Sequence, residues 1–499
     1  IWLFRGGLDD IITHCALDHH ARDLHLGSLE ARTSPPASES ELCKDLRRVV
    51  EQAASYEPPV GQGRPEVALV LHFLKERSRD GLDHDSPADP FFGCRQGRWF
   101  KQRSLEARAI EDLLSRRPEA LAVLRGLDVC NDELAQPTWV LVPLVRRVRE
   151  HSARVAALLA RKHPAWMVPR LRVTVHVGED YGRLVEGLRR VHEAIEFGLI
   201  GGGDRVGHGL ALGDAPGRLA RGAHRVSQPA IERLDDLLWE LDRLGCSHLP
   251  PRVDRSQFLF KEIARLSADV YRHDGGATPL DPWQLVHARR LRHDPAVLSR
   301  LGFPDLLNRP PPRSEIDDLV WRYLTDPGVY ERGRRPVEVV LDEGELAMLE
   351  AAQAWLRGEV ARREITVESN PSSNLLIANY VGLDEHPAFR LFPLPGRGTP
   401  APGEAVLLSV NVDDPITFAS RLSDEYAYLY FSLLRQGVPS QDALRWLEQV
   451  RQNGWRSRFS LPVTADLESL RIIAAMLGSR AAWPRPGAQT PGRAGQPAG

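Results

Sequence analysis

Lysine is scarce in this chain: of 65 cationic residues only Lys44, Lys75, Lys101, Lys162 and Lys261 are lysine, and the other 60 are arginine. Nor is there an excess of either charge, since 67 acidic residues leave a formal net charge of −2. No global basic field therefore draws the protein onto nucleic acid, although a local groove stays open. Beside 40 Gly and 38 Pro, the arginine bias reads as a GC-rich genome rather than as selection for phosphate contacts. Cysteine is equally sparse. Cys15, Cys43, Cys94, Cys130 and Cys246 are odd in number, scattered and without a Cys-x-x-Cys pair, which argues against a disulfide framework and a cysteine-ligated zinc site and favours a reducing compartment. No uncharged apolar run reaches the roughly 18 to 20 residues of a membrane span. The amino terminus also lacks the regions of a signal peptide, so a cytoplasmic protein with no membrane partner is expected. The first residue is Ile1, not Met, which leaves open a fragment of something longer.

What is present is a chain of 499 residues, 42% hydrophobic and 26% charged, enough for one large or two medium domains. Five segments read as buried strands ending in polar residues: Leu24–Thr33, Val67–Leu74, Leu124–Val129, Leu171–Val175 and Val406–Val412. Asp204–Gly207 and Ile365–Glu368 are weaker candidates. Helical patterns lie between them, such as the stripe Leu184, Val185, Leu188, Val191 and Ile195. Strand–helix alternation with polar strand ends predicts an α/β fold of the (β/α)8 TIM-barrel type. A doubly wound sheet is the rival, weakened because Gly201–Gly203 precedes a strand and opens no helix.

The expected division is barrel over 1–213, a largely helical insertion over 214–360, barrel again over 361–480 and a disordered tail over 481–499, where Pro and Gly dominate. Arg309-Pro-Pro-Pro-Arg313 reads as a rigid linker or turn. Within the insertion, Ile231, Leu234, Leu237, Leu238, Leu241 and Leu244 form one apolar face, and Phe258, Ile263, Leu266 and Val270 another. The insertion is either an assembly module, self-associating through Leu234, Leu238 and Leu241, or a lid burying its own small core.

Leu171-Arg-Val-Thr-Val-His-Val-Gly-Glu-Asp180 is the most informative segment. It delivers His176 at a strand end, and Gly178 lets the chain turn so that Glu179 comes back beside the imidazole. That arrangement suits a metal-ligating histidine with a carboxylic acid that moves a proton, and it equally suits a strand-end histidine followed by a helix-capping glutamate. Asp204-Arg-Val-Gly-His-Gly-Leu210 places His208 between two glycines, where a neutral imidazole can orient or deprotonate a water. Asp413 and Asp414 end an apolar strand as adjacent carboxylates, a conflict resolved if one meets a divalent cation and the other a hydrogen-bond donor.

His176-Val-Gly-Glu179, Gly207-His-Gly209, Glu368-Ser-Asn-Pro-Ser-Ser-Asn374 and Ser409-Val-Asn-Val-Asp-Asp-Pro415 occur in an order that resembles the adenosine/AMP deaminase family, zinc-dependent members of the amidohydrolase superfamily. Ser28–Pro35, Val67–Leu74 and Gly126–Glu133 resemble that family's second, third and fourth strands, so the likeness covers about 24–213 and 361–460. It implies that His176 and Asp413 ligate Zn2+, that Glu179 exchanges a proton with the purine ring, that His208 positions and activates the water, and that Asp414 holds the imidazole side of the purine. Gly178 joins the substrate pocket on this reading. Asn131 stands where the family commonly has a glycine against the purine.

The family's first strand carries His-x-His, and none of the 17 histidines here forms that pair. His19 and His20 are adjacent, and His25 falls within the apparent second strand. The resemblance therefore implies a barrel lacking its first strand, by truncation or by supply from a missing amino-terminal region, and a chain that holds little zinc by itself. The implied activity is zinc-dependent hydrolytic deamination of an adenine nucleoside, nucleotide or RNA. The large insertion resembles that of a bacterial deaminase partnered with an ATPase in antiviral defence, which implies a homo-oligomer and an ATPase partner. The alternative is a catalytically degenerate deaminase-like scaffold acting through its insertion.

Overall fold

The computed structural model describes residues 26–77, 93–221, 225–272, 280–293, 314–340, 343–378, 380, 382–394, 405–413 and 420–478. His19, His20, His25, the Arg309–Arg313 turn, Asp414 and the tail from 481 lie outside the described residues. Among the described residues there are nine strands: β1 (Ser28–Thr33), β2 (Glu66–Lys75), β3 (Leu124–Asn131), β4 (Arg172–Val177), β5 (Arg205–His208), β6 (Arg225–Pro229), β7 (Pro336–Val340), β8 (Thr366–Ser369) and β9 (Leu407–Val410). Seven of them pair in parallel in the order β1-β2-β3-β4-β5-β8-β9, and these are the seven expected from the sequence. β2, β3, β5 and β8 are nearly continuous buried runs, as strands covered on both faces must be, while the edge strand β1 is only half-buried.

Helices α1 (Glu39–Ser55), α2 (Gly97–Arg116), α3 (Val142–Lys162) and α4 (Leu184–Glu196) return the chain after β1 to β4 in turn. They pack on the outside of the sheet by apolar stripes, for example Leu42, Leu46, Val49, Val50 and Ala53 of α1. The sheet is strongly curled. Four interstrand steps separate β1 from β5, about 19 Å in a flat sheet at roughly 4.8 Å per step. Yet Arg205 of β5 reaches Glu30 of β1 at 2.5 Å, and Arg32 of β1 reaches Glu368 of β8 at 2.8 Å. Side chains two apart on a strand share a face, so Glu30 and Arg32 both point into the curl. The fold is thus a (β/α)8-type barrel missing one strand among the described residues, with β1 and β9 as unjoined edges.

Between β5 and β8 lies the insertion, with α5 (Ala230–Gly245), α6 (Val253–Val270), α7 (Pro282–His293) and α8 (Glu315–Thr325). It also contains a β6–β7 antiparallel pair, which the expectation of a largely helical insertion did not name. Helix α9 (Glu343–Arg362) leads into β8, and its Gln353 amide donates to the carbonyls of Ala211 and Asp214 at 2.7 and 2.6 Å. Helices α10 (Leu422–Arg435), α11 (Ser440–Ser457) and α12 (Leu467–Gly478) follow β9.

Two expectations for the insertion need correction. Leu234, Leu238 and Leu241 are at most 3% exposed, so they are consumed in this chain's own core and offer no face for self-association. Phe258, expected on the apolar face of α6, is 37% exposed and lies under the Arg255 guanidinium instead. The contact between α5 and α4 is ionic as well as apolar. Arg189 of α4 binds Asp236 at 2.7 Å, Glu232 at 2.6 Å and Glu193 at 3.2 Å, and Arg289 of α7 binds Glu193 at 2.6 Å. The polar side of α4, which periodicity alone would assign to solvent, is therefore covered by the insertion.

Candidate active site at the carboxyl ends of the strands

β4 and β5 place the two expected histidines side by side. His176 is registered against Gly207, and their pairing explains that glycine: a Cβ there would stand 3.0 Å from the His176 ring. The rings of His176 and His208 lie 5.0 Å apart between centroids. His208 has φ +60°, a left-handed conformation uncommon for a side chain of its size, and it ends β5 in the site at 2% exposure.

After β4 the chain turns through Gly178, whose φ is +73° and whose Cα packs so tightly that a Cβ would sit 2.8 Å from Val191. The turn is held by a residue that sequence reading passed over. Glu133 is buried and accepts the backbone N–H groups of Gly178, Glu179 and Asp180 at 2.8, 2.9 and 3.1 Å. The Gly178 N–H is thereby occupied. Glu179 swings back as expected, its Oε1 3.0 Å from His208 Nδ1. Burial pushes the Glu179 carboxyl up to about 8, with the nearby His176 opposing and Asp180, Asp413 and Glu133 adding to the rise.

Asn374 bears on the state of that contact. Its Oδ1 accepts from the Asn370 N–H at 3.2 Å and lies 3.3 Å from His386 Nε2, so its amide nitrogen is the atom 2.7 Å from His208 Nδ1. An amide nitrogen only donates, so His208 Nδ1 accepts. A carboxyl oxygen facing the same accepting nitrogen is favourable only when protonated, the direction in which burial drives Glu179. Burial, and then the neighbouring His176, push the His208 imidazole well below its usual range.

Asp413 follows β9 and lies 3.9 Å from His208 Nε2, with Ser373 Oγ donating to its Oδ2 at 2.6 Å. Asn131 ends β3 with φ +76° and donates its amide to the Lys75 carbonyl at 2.8 Å. Asparagine is among the few residues that tolerate this backbone, which accounts for its standing where a glycine is usual in the resembled family.

The structure adds a group beneath His176. Asp128 of β3 is completely buried, with Arg32 Nη1 at 2.9 Å, His72 Nε2 at 3.3 Å and His176 Nδ1 at 3.2 Å. Burial alone would raise the Asp128 carboxyl, but His176 and Arg32 outweigh it and hold it well below the usual range. Cys130 lies two residues on, facing the same side, and the donor atoms of His72, Asp128 and Cys130 lie within 4.8 Å of one another. Lys75, fully buried, donates to the His176 carbonyl at 3.2 Å, and burial pushes its ammonium down to about 8. Sequence reading missed Glu133, His72, Asp128 and Cys130. Asp128-Val-Cys130 was the one available signal, an alternating pair on a buried strand.

No family model matches the chain. A 74-residue segment is 34% identical to adenosine deaminase of Plasmodium gallinaceum, covering 15% of this chain and 18% of that protein. Among solved structures, an adenine deaminase from Arthrobacter aurescens superposes with a TM-score of 0.41 at 13% identity, over 94% of this chain and 78% of that one. The Arabidopsis N6-mAMP deaminase superposes with a TM-score of 0.40 at 11% identity, over the same shares.

Proposed function

We propose that the chain is a metal-dependent hydrolase that exchanges the amino group of an adenine compound for oxygen and releases ammonia. The observation that carries this reading is the buried Glu179 carboxyl set against an accepting His208 Nδ1 at 3.0 Å, beside His176. Adding water to the C6 carbon of an adenine ring destroys aromaticity, so the ring must take a proton at N1 as the oxygen arrives. A carboxyl held protonated near neutral pH, as Glu179 is by burial, can supply that proton. Ammonia then departs with a further proton, and the product carries a carbonyl at C6.

The donor set fits a divalent metal. His176 Nδ1 and Asp128 Oδ1 are buried and have no aligned hydrogen-bond partner, and Asp413 lies across the His208 ring from Glu179. On the deaminase reading His176 and Asp413 hold Zn2+, and Asp414 binds the purine. When bound, the metal supplies Lewis acidity that makes water a nucleophile near neutral pH. His208, gripped by Asn374, fixes the direction from which water approaches. Asn131 and the turn at Gly178 border the substrate.

Ammonia release from adenosine, an adenine nucleotide and a single-stranded RNA tests the reading and selects the substrate class. Absence of ammonia from all three, in a chain loaded with metal, would leave the degenerate scaffold as the better account.

A further inference from the structure

His72, Asp128 and Cys130 converge in a way that hydrogen bonding does not explain. His72 Nε2 lies 3.3 Å from Asp128 Oδ2 and His176 Nδ1 lies 3.2 Å from Asp128 Oδ1. Despite these approaches, His72 Nε2, Asp128 Oδ1 and His176 Nδ1 are all buried atoms without a hydrogen-bond partner. Each approach is close yet misaligned for a hydrogen bond, and the three atoms are buried together. Atoms in close approach but misaligned for hydrogen bonding are what remains when lone pairs point at a shared centre rather than at each other.

The strands dictate this convergence. His72 of β2 is registered directly against Asp128 of β3, and Cys130 follows on the same face by strand alternation. Ligand bonds of about 2.0 to 2.3 Å place the corners of a tetrahedral site about 3.3 to 3.8 Å apart. The His176 Nδ1 to Asp128 Oδ1 approach of 3.2 Å is close to that spacing, and the donor groups of His72, Asp128 and Cys130 lie within 4.8 Å of one another. Arg32 occupies Asp128 Oδ2 at 2.9 Å, which leaves Oδ1 turned toward His176 Nδ1.

We propose that His72, Asp128 and Cys130, joined by His176, form a divalent-metal site in the barrel mouth. A mixed imidazole, carboxylate and thiolate set is the chemistry that selects a borderline-soft ion such as Zn2+ over Mg2+ or Ca2+. The site deepens the deaminase reading, with which it shares His176, and it moves part of the ligand set from Asp413 to β2 and β3.

The test uses the full chain stripped of metal and titrated with Co2+, a spectroscopic stand-in for Zn2+. One equivalent of Co2+ binds and produces a near-ultraviolet thiolate-to-cobalt charge-transfer band. Cys130→Ser abolishes the band and weakens binding at least about tenfold, the low end of what loss of a mere outer partner costs. His72→Ala weakens binding comparably, while Cys43→Ser, whose thiol donates to the Leu477 carbonyl far along the chain, keeps the band. No Co2+ binding, binding without the band, or unchanged affinity in Cys130→Ser overturns the site. A chain that shows the band but releases no ammonia keeps the metal site and loses the deaminase, and ammonia release without the band does the reverse.

Discussion

Glu179 Oε1 faces His208 Nδ1 at 3.0 Å across a nitrogen that already accepts from Asn374 at 2.7 Å. Three groups therefore decide one proton. Because the amide nitrogen donates, a carboxyl proton between Glu179 and His208 is favoured, the same direction in which burial drives Glu179.

Replacing that acid is the most direct test. Glu179→Gln preserves shape and leaves His176, Asp128 and Cys130 untouched, so metal content stays as in the parent. Turnover falls by about 10² to 10⁴, the usual cost of removing a proton-transfer group. Ammonia release and metal analysis on one preparation check both halves, and near-normal turnover removes Glu179 from the reaction.

Gly207→Ala probes the His176 ring by displacement. The new methyl would stand 3.0 Å from one ring carbon and 3.3 Å from the next, so the imidazole shifts by a few tenths of an ångström. The fold and melting behaviour persist. Turnover drops on the order of tenfold, as small misplacements near a reacting centre do, and an unchanged rate would show that His176 has slack.

His386 provides a pH dependence. Its Nδ1 accepts from the Ala388 N–H at 3.1 Å, and burial pushes the imidazole down to about 3 from 6.5. A depressed folded-state value means that the stabilisation is complete above pH 6.5 and is lost as pH falls toward 3. Between pH 8 and pH 5 this group alone removes about 2 kcal/mol of stability. Urea unfolding at the two pH values should show a smaller difference in His386→Gln than in the parent.

Arg189→Met tests how the insertion is anchored. It strips Asp236 of its arginine in a fully buried setting, while Glu193 keeps Arg289 and Glu232 keeps Arg190. Breaking one side of a buried ion pair costs about 3 to 5 kcal/mol. Chemical denaturation measures it, and a loss below 1 kcal/mol, on the order of an exposed pair, would mean that the α4–α5 contact is held by its apolar residues alone.

β2, β3, β4 and β9 were legible because a parallel strand covered on both faces is written as a mostly apolar run, whereas β5 and β8 are short and polar and showed only weakly. His176, Glu179 and His208 were legible for a related reason: glycines beside them mark where the backbone bends or must stay slim. Partners set by register were not. His72 meets Asp128 only because β2 and β3 align at that step, although they stand 56 positions apart in the sequence. Glu133 looks like one more acid in a polar turn, and its partners are backbone N–H groups 45 to 47 residues on. The cysteine count argued against thiolate ligation, which holds for an all-cysteine site and says nothing about one thiol among imidazoles. The β6–β7 pair escaped because Pro229 and Pro336 bound it and its five-residue strands alternate weakly.

Arg205 and Glu30 lie on opposite walls of the curled sheet, and the same Glu30 accepts the backbone N–H of Phe459 at 2.5 Å, a partner 429 residues later. Close by, Arg458 holds Glu66 of β2 at 2.7 Å, and Ser28 meets Ser460 at 2.6 Å. The floor beneath the first strands is thus laid by residues more than 390 positions later in the chain. On a ribosome adding roughly 5 to 20 residues per second, β1 and β2 wait about 20 to 90 seconds for that floor. During that interval Glu30 lacks the Phe459 N–H and Glu66 lacks Arg458, so the ends of β1 and β2 are uncovered, a condition in which nascent strands pair with neighbours. Yield in a cell is then governed by the time taken to translate the distance from Glu30 to Phe459 and by chaperone cover over that time, quite apart from how stable the finished barrel is.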